Sequence, residues 1–200
     1  MLGSLIIVGF FALGVFLSYF GFIPELIAKS HLSTYALFAL MFCVGFGIGS
    51  DTKTLRSFKS LNPRLLLLPL MTIAGTLLGT FIISFALPHR TPAECMAVGS
   101  GFAYYSLSST IIAKKSAELG IIALMSNIIR ELMALLMAPI FLKYFGRLAP
   151  ISVGGATSMD TTLPIITKYC GNEVVVTSIF HGMVVDFSVV FLVTLFTNFI

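Results

Sequence analysis

The chain has 200 residues, 58% of them hydrophobic and only 10% charged, with a mean hydropathy of +1.04. So much apolar surface cannot be buried inside a soluble domain of this size, which excludes a soluble globular fold. The net charge of +4 comes from 12 Lys and Arg spread along short connections, a pattern of membrane topology rather than a contiguous basic patch for nucleic acid.

The sequence opens in an apolar run from Met1 to about Phe22, without a basic leader or a small-residue cleavage site, and reads as a retained helix. Further apolar runs place spanning helices near residues 33–50, 65–87, 119–145 and 174–200, after the first at 2–22. About 20 apolar residues suffice for a helix to cross a hydrocarbon core of about 30 Å. None of these runs alternates as barrel strands do. The expected fold is therefore an all-α integral membrane protein with five transmembrane helices.

Between the second and third spans Lys53, Arg56, Lys59 and Arg64 stand against Asp51 alone, which places this loop, and the N-terminus, in the cytoplasm. Alternation then puts His89 and Arg90 outside, Lys143 and Arg147 inside and the C-terminus outside. The expected location is the cytoplasmic (inner) membrane, with lipid around a multi-pass protein. Cys43, Cys95 and Cys170 are odd in number and sit in or near apolar runs, so they suggest neither a disulfide framework nor a metal site. No cofactor motif is present.

Two stretches interrupt the pattern: residues 95–112, CMAVGSGFAYYSLSSTII, and residues 151–166, ISVGGATSMDTTLPII. Gly, Ser and Thr crowd their centres, and the second adds Asp160 and Pro164. Irregular backbone at membrane depth persists only when buried in protein or lining a wet cavity, so both read as re-entrant or broken helices. A shift of 54 positions lays one on the other, pairing Gly101 with Gly155, Ile111 with Ile165, Ile112 with Ile166 and Lys114 with Lys168. The same register brings Ser106 to Asp160, Ser108 to Thr162 and Asn127 to His181. The repeated units, about 92–145 and 150–200, start from opposite faces and are expected to be inverted, an architecture that places a substrate site near the bilayer midplane. Residues 1–200 then form one membrane domain: a three-helix N-terminal part at 1–91 and a transport part at 92–200.

Acidic residues within apolar spans are costly and mark transport paths. Glu131 stands mid-span, with Asn127 one turn away on the same face and Arg130 turned about 100° from it. It suits exchange of a proton or release of a bound cation, and an Arg–Glu pair between helices is the structural alternative. Asp186 is similarly central in the last span. His181 is a proton-carrier candidate, with a bond to a neighbouring carbonyl as the alternative. Asp160, among Ser158, Thr161 and Thr162, offers oxygen ligands for a cation, or caps a helix. Tyr104 and Tyr105 can present ring faces to a cation. The transport and proton-coupling candidates are thus Glu131, Asp160, His181 and Asp186. The substrate-binding candidates are Gly101, Tyr105, Ser106, Ser108, Asn127, Gly155, Thr161 and Thr162.

The strings AVGSGFAYYSLSS, NIIREL, GGATSMDTTLPII and FHG resemble the lysine exporter family of bacteria and archaea over essentially the whole chain. The resemblance implies export of L-lysine or a related cationic amino acid, in exchange for protons, with Glu131 of NIIREL matching a required intramembrane acid and Asp160 lying in the other signature string. It also implies a longer N-terminal part with a further acid, so the chain is expected to work with a small partner subunit or as a homo-oligomer. In this reading lysine's ammonium meets Glu131 or Asp160, and its carboxylate meets backbone N–H groups near Gly101 and Gly155. Sodium-coupled carriage of an organic anion and a structural membrane subunit are the alternatives. An enzyme is disfavoured, since no nucleophile–base pair or HExxH stands at recognisable spacing.

Overall fold

A computed structural model of the chain describes residues 67–200, together with Leu13, Gly14, Phe16, Leu17, Tyr19, Phe20 and Gly21. Within the first expected span, Leu13, Gly14, Phe16, Leu17 and Tyr19 are helical. The second span and the basic loop at 51–64 lie outside the described residues. Every regular element described is helical. Among the described residues, three helices are long and apolar enough to cross a membrane: Leu67–Ser84, Ala117–Phe145 and Asn172–Thr197. These correspond to the expected spans at 65–87, 119–145 and 174–200.

Helix α1 runs over Leu67–Ser84, and a short turn leads to α2, Pro92–Gly99. Thr91 starts α2 with a capping box: its hydroxyl accepts from Glu94 N at 3.2 Å while Glu94 Oε2 accepts from Thr91 N at 2.7 Å. The helix stops at Ser100, and Phe102 and Ala103 take left-handed φ of 44° and 71°, a conformation that no helix continues through. Helix α3 then covers Tyr105–Ala113. Ser116 caps α4, Ala117–Phe145, and Gly146 at φ 85° ends it. Helix α5, Ala149–Gly154, tightens into a 3-10 turn over Gly155–Met159 before the chain turns into α6, Leu163–Cys170, with Pro164 in its first turn. A 3-10 turn, Asn172–Val174, precedes α7, Val175–Thr197.

Contacts along α4 show how the interrupted pieces run. Arg90, just before α2, pairs with Glu118 at the start of α4, so the chain enters and leaves α2–α3 at one end of α4. In between it descends: Gly120 faces Ala113, whereas Asn127, two turns deeper, faces Gly101. The piece α2–α3 is a helical hairpin that folds back along α4. At the other end of α4, Arg147 pairs with Glu173 at 2.9 Å across the base of α5–α6, while Arg130 in mid-helix reaches Val153. This is a second hairpin, entered from the opposite end of α4.

The two hairpins meet at their tips. Ala156 N donates to Phe102 O at 2.9 Å, main chain to main chain. Gly155 permits the approach: its φ is +60°, and a Cβ there would lie 2.4 Å from Phe102 O. Helix α7 runs antiparallel to α4 and lays Val185, Val189 and Val193 against Ala97, Phe102 and Ile112 of the first hairpin and Leu119 and Ala123 of α4. A smaller cluster of Ile151, Ile166, Cys170 and Val174 fills the second hairpin, with Leu68 and Leu142 beside it. The polar interruptions are thus carried to the middle of a bundle whose outer faces, such as Leu70, Met71, Phe187 and Phe191, are exposed and apolar.

Candidate functional site

The unwound tips need partners for their backbone groups, and each obtains them from its own unit's long helix. Asn127 of α4 accepts from Ala103 N at 2.8 Å through Oδ1 and donates through Nδ2 to Val98 O at 3.2 Å and Ala123 O at 2.8 Å. His181 of α7 stands in the corresponding place in the second unit. Its Nδ1 lies 3.0 Å from Ser158 Oγ, and Ser158 in turn donates to Gly155 O at 2.7 Å. Ser178 Oγ donates to Ser158 O at 2.7 Å. Both Asn127 and His181 are buried, at 2% and 0% exposure.

The acidic groups lie on one side of the second tip. Glu131, equally far from both ends of α4, accepts the Thr161 hydroxyl on Oε1 at 2.5 Å. Asp160 Oδ1 accepts from Thr161 N at 2.5 Å, and the Thr161 hydroxyl lies against Asp160 as well. Thr161 thus bridges two carboxylates from different elements. Tyr105, at the start of α3, is within electrostatic reach of both acids, and Asp186 of α7 is within reach of Asp160. Glu131, Asp160, Thr161 and Asp186 are half-buried and Tyr105 is exposed, so the cluster is open on one side. Among the described residues, no Lys or Arg acts appreciably on these three carboxylates. Among the described residues no three His, Cys, Asp or Glu gather closely enough to hold a metal ion.

Arg130 turns the other way. It makes no ion pair with a carboxylate among the described residues, and gives Nε to Val153 O at 3.0 Å, Nη2 to Ser152 O at 3.1 Å and Nη1 to Thr76 Oγ1 at 3.3 Å. Its guanidinium also lies over the Phe102 ring, 5.4 Å from the centroid. A cation therefore meets the carbonyl end of α5 and carboxylates meet the amide end of α6, the arrangement that helix dipoles favour.

The sequence profile described as lysine exporter LysO matches residues 8–197. This chain belongs to the lysine exporter family. It is 31% identical to the lysine exporter LysO of Escherichia coli over 168 residues, which cover 82% of this chain and 54% of that protein. It is 32% identical over 166 residues to a Haemophilus influenzae protein named as a candidate lysine exporter, with 82% of this chain and 84% of that protein covered. The chain thus spans about half the length of the E. coli relative. No solved structure matches.

In this lysine exporter family member the residues expected from sequence fall into three groups. Glu131, Asp160 and Thr161 come together at the open acidic cluster, with Asp186 within electrostatic reach of Asp160 and Tyr105 within reach of both acids. Gly101, Ser108, Asn127, Gly155, Thr162 and His181 lie inside the tips, where Ser108 Oγ donates to Tyr104 O at 2.8 Å and Thr162 Oγ1 to Thr157 O at 2.9 Å. A Cβ on Gly101 would meet Asn127 Nδ2 at 2.4 Å, so the close packing there requires glycine. Ser106 is exposed on α3, and its carbonyl accepts the Thr110 hydroxyl at 2.7 Å.

Three contributors escaped the sequence reading: Thr72, Thr76 and the ring of Phe102. Thr72, Thr76 and Thr80 recur at four-residue spacing in an otherwise apolar helix, and that polar stripe is the signal that points to a buried polar partner. The Arg–Glu pair considered as an alternative for Arg130 does not form.

Proposed function

We propose that the chain is the hairpin-bearing part of a secondary transporter that exports L-lysine across the cytoplasmic membrane in exchange for protons. The observation that carries this reading is the Glu131–Thr161–Asp160 bridge at the meeting point of two opposed hairpins. Glu131 and Asp160 form the cation site: an alkylammonium brings three N–H donors and replaces the single Thr161 hydroxyl between them. A proton taken up by either carboxylate removes that attraction, so cation and proton exclude one another and their opposite flows are coupled. Asp186 and Tyr105 complete the wall on the α7 and α3 sides. Asn127 and His181 hold the tips, and the backbone N–H groups near Gly101 and Gly155, expected from sequence to meet the substrate carboxylate, are instead engaged inside the protein, Ala103 N by Asn127 and Ala156 N by Phe102 O.

Among the described residues no Lys or Arg acts appreciably on the three acids, which favours a cationic cargo over the organic anion weighed as the alternative. The repeat register also supports this reading. It lays α2 near α5, α3 near α6 and α4 on α7, with the units entering from opposite ends of α4. The full proposal is five spans and two re-entrant hairpins in an inverted repeat, with the N-terminus inside and the C-terminus outside. A small partner subunit or a second copy of the chain working beside it is part of the same proposal.

The test is lysine efflux from loaded cells and counterflow in proteoliposomes. Glu131→Gln keeps the shape and loses the charge, and is expected to lower flux by at least about tenfold, in the range for removing a group used directly. Full flux in this variant would show that the carboxylate has no role in transport.

A further inference from the structure

The face of the second hairpin opposite its acids carries a second polar layer, and this layer runs to α1. Arg130, from α4, binds the Ser152 and Val153 carbonyls at the end of α5 and continues to the Thr76 hydroxyl. His181, from α7, touches Ser158 through Nδ1 and the Thr72 hydroxyl through Nε2, each at 3.0 Å. Thr72 and Thr76 are one turn apart on α1. Two side chains from two different helices thus cross to the same stripe of a third. Among the described residues, no side-chain hydrogen bond joins the first hairpin to α1. There the contact is packing of Gly99 against Thr80.

We propose that Arg130 and His181 latch the second hairpin to α1, so that hairpin and α1 move as one body during transport, and that Arg130 is the positioning residue that sets the Thr161–Glu131 contact. A planar guanidinium suits this task because its fixed fork of donors reaches two adjacent carbonyls and a hydroxyl at once, which an ammonium on a flexible stem does not reproduce. Transporters of this kind work by moving one rigid unit against another around the site. A boundary of motion drawn through this seam would break the Arg130–Thr76 and His181–Thr72 hydrogen bonds in every cycle and leave their partners unsatisfied. The boundary therefore lies elsewhere. Contact with the Phe102 ring also ties Arg130 to the first tip, so a displaced Arg130 disturbs the point where the hairpins meet. The inference rests on the transport reading above.

The test uses Gly75 and Ser152, which line one cavity of about 510 Å³ along the seam. No heavy atom lies within 4 Å of a Cβ built on Gly75, so a side chain fits there. In the chain with Cys43, Cys95 and Cys170 replaced by alanine, Gly75→Cys and Ser152→Cys are joined by a short bifunctional thiol reagent in proteoliposomes. The expected result is efficient cross-linking, with lysine flux kept above about half of the uncross-linked rate, as for a lock placed inside a rigid body. In parallel, Arg130→Lys is expected to lower the maximal flux about tenfold while leaving the apparent KM within about twofold, the split of a group that does not touch substrate. Failure to cross-link, cross-linking that stops flux, or a raised KM with unchanged maximal flux in Arg130→Lys overturns the latch. A parent chain that carries no lysine at all sinks the transport reading, and this inference with it.

Discussion

Gly155 shows how much of this site depends on one missing carbon. At φ +60° and ψ −129° it occupies backbone space that glycine alone visits easily, and its open side faces the Phe102 carbonyl. Gly155→Ala adds strain and a contact far inside van der Waals distance. It is expected to cost at least about 2 kcal/mol, visible as a lowered Tm in detergent, with flux lost in proportion to the displaced tip. An unchanged Tm would mean that the two tips do not depend on this approach. Residues of this kind were partly legible in the sequence: the glycine pairing at 101 and 155 marked the interruptions, and a carboxylate in mid-span marked Glu131. What each side chain touches was not legible. Asn127 and His181 read as substrate and proton groups because polar residues in spans usually are; in the structure Asn127 also meets the demand of unwound backbone for partners, and His181 bonds the hydroxyls of Ser158 and Thr72. Thr72 and Thr76 passed unread because a hydroxyl on a helix can always satisfy itself on the preceding turn.

At the scale of elements, the hairpins take their shape from capping and breaking signals that composition could locate but not orient. The clustered Gly, Ser and Thr, with Pro164, gave the breaks to within a few residues. Whether the chain runs on or turns back depends on which ends lie together, and that is read from contacts such as Arg90–Glu118 and Arg147–Glu173. These pairs report geometry more than they supply strength. Arg147 and Glu173 expose 64% and 82% of their side chains, and such pairs contribute about 0–1 kcal/mol. Arg147→Ala is therefore expected to shift Tm by no more than about 2 °C in a thermal melt. A large loss would assign the pair a gating or folding role that its exposure does not suggest.

For the molecule as a whole, hydropathy recovered the three long helices among the described residues because span length is set by the bilayer and not by packing detail. The proposed repeat rests on only four identities in the sequence, as two units that kept a backbone path would not need to keep their side chains. The opposed entry of the hairpins makes a topological prediction. Glu118 and Glu173 stand at opposite ends of α4 and, on the positive-inside assignment, on opposite sides of the membrane. Single cysteines at these positions are expected to differ in intact cells: Glu118→Cys reacts with an impermeant thiol reagent and Glu173→Cys reacts only after permeabilisation. Labelling of both from outside would rule out the inverted arrangement.

The bond between Ala156 N and Phe102 O joins main chain to main chain, and this bears on how the two units can diverge. A joint made of side chains is lost whenever either partner is replaced, so both must be kept or changed together. A joint made of peptide groups is carried by every sequence that can hold the same path. The two units are then free to drift in almost every letter, one keeping an amide and the other an imidazole behind its tip, while the place where they meet stays the same.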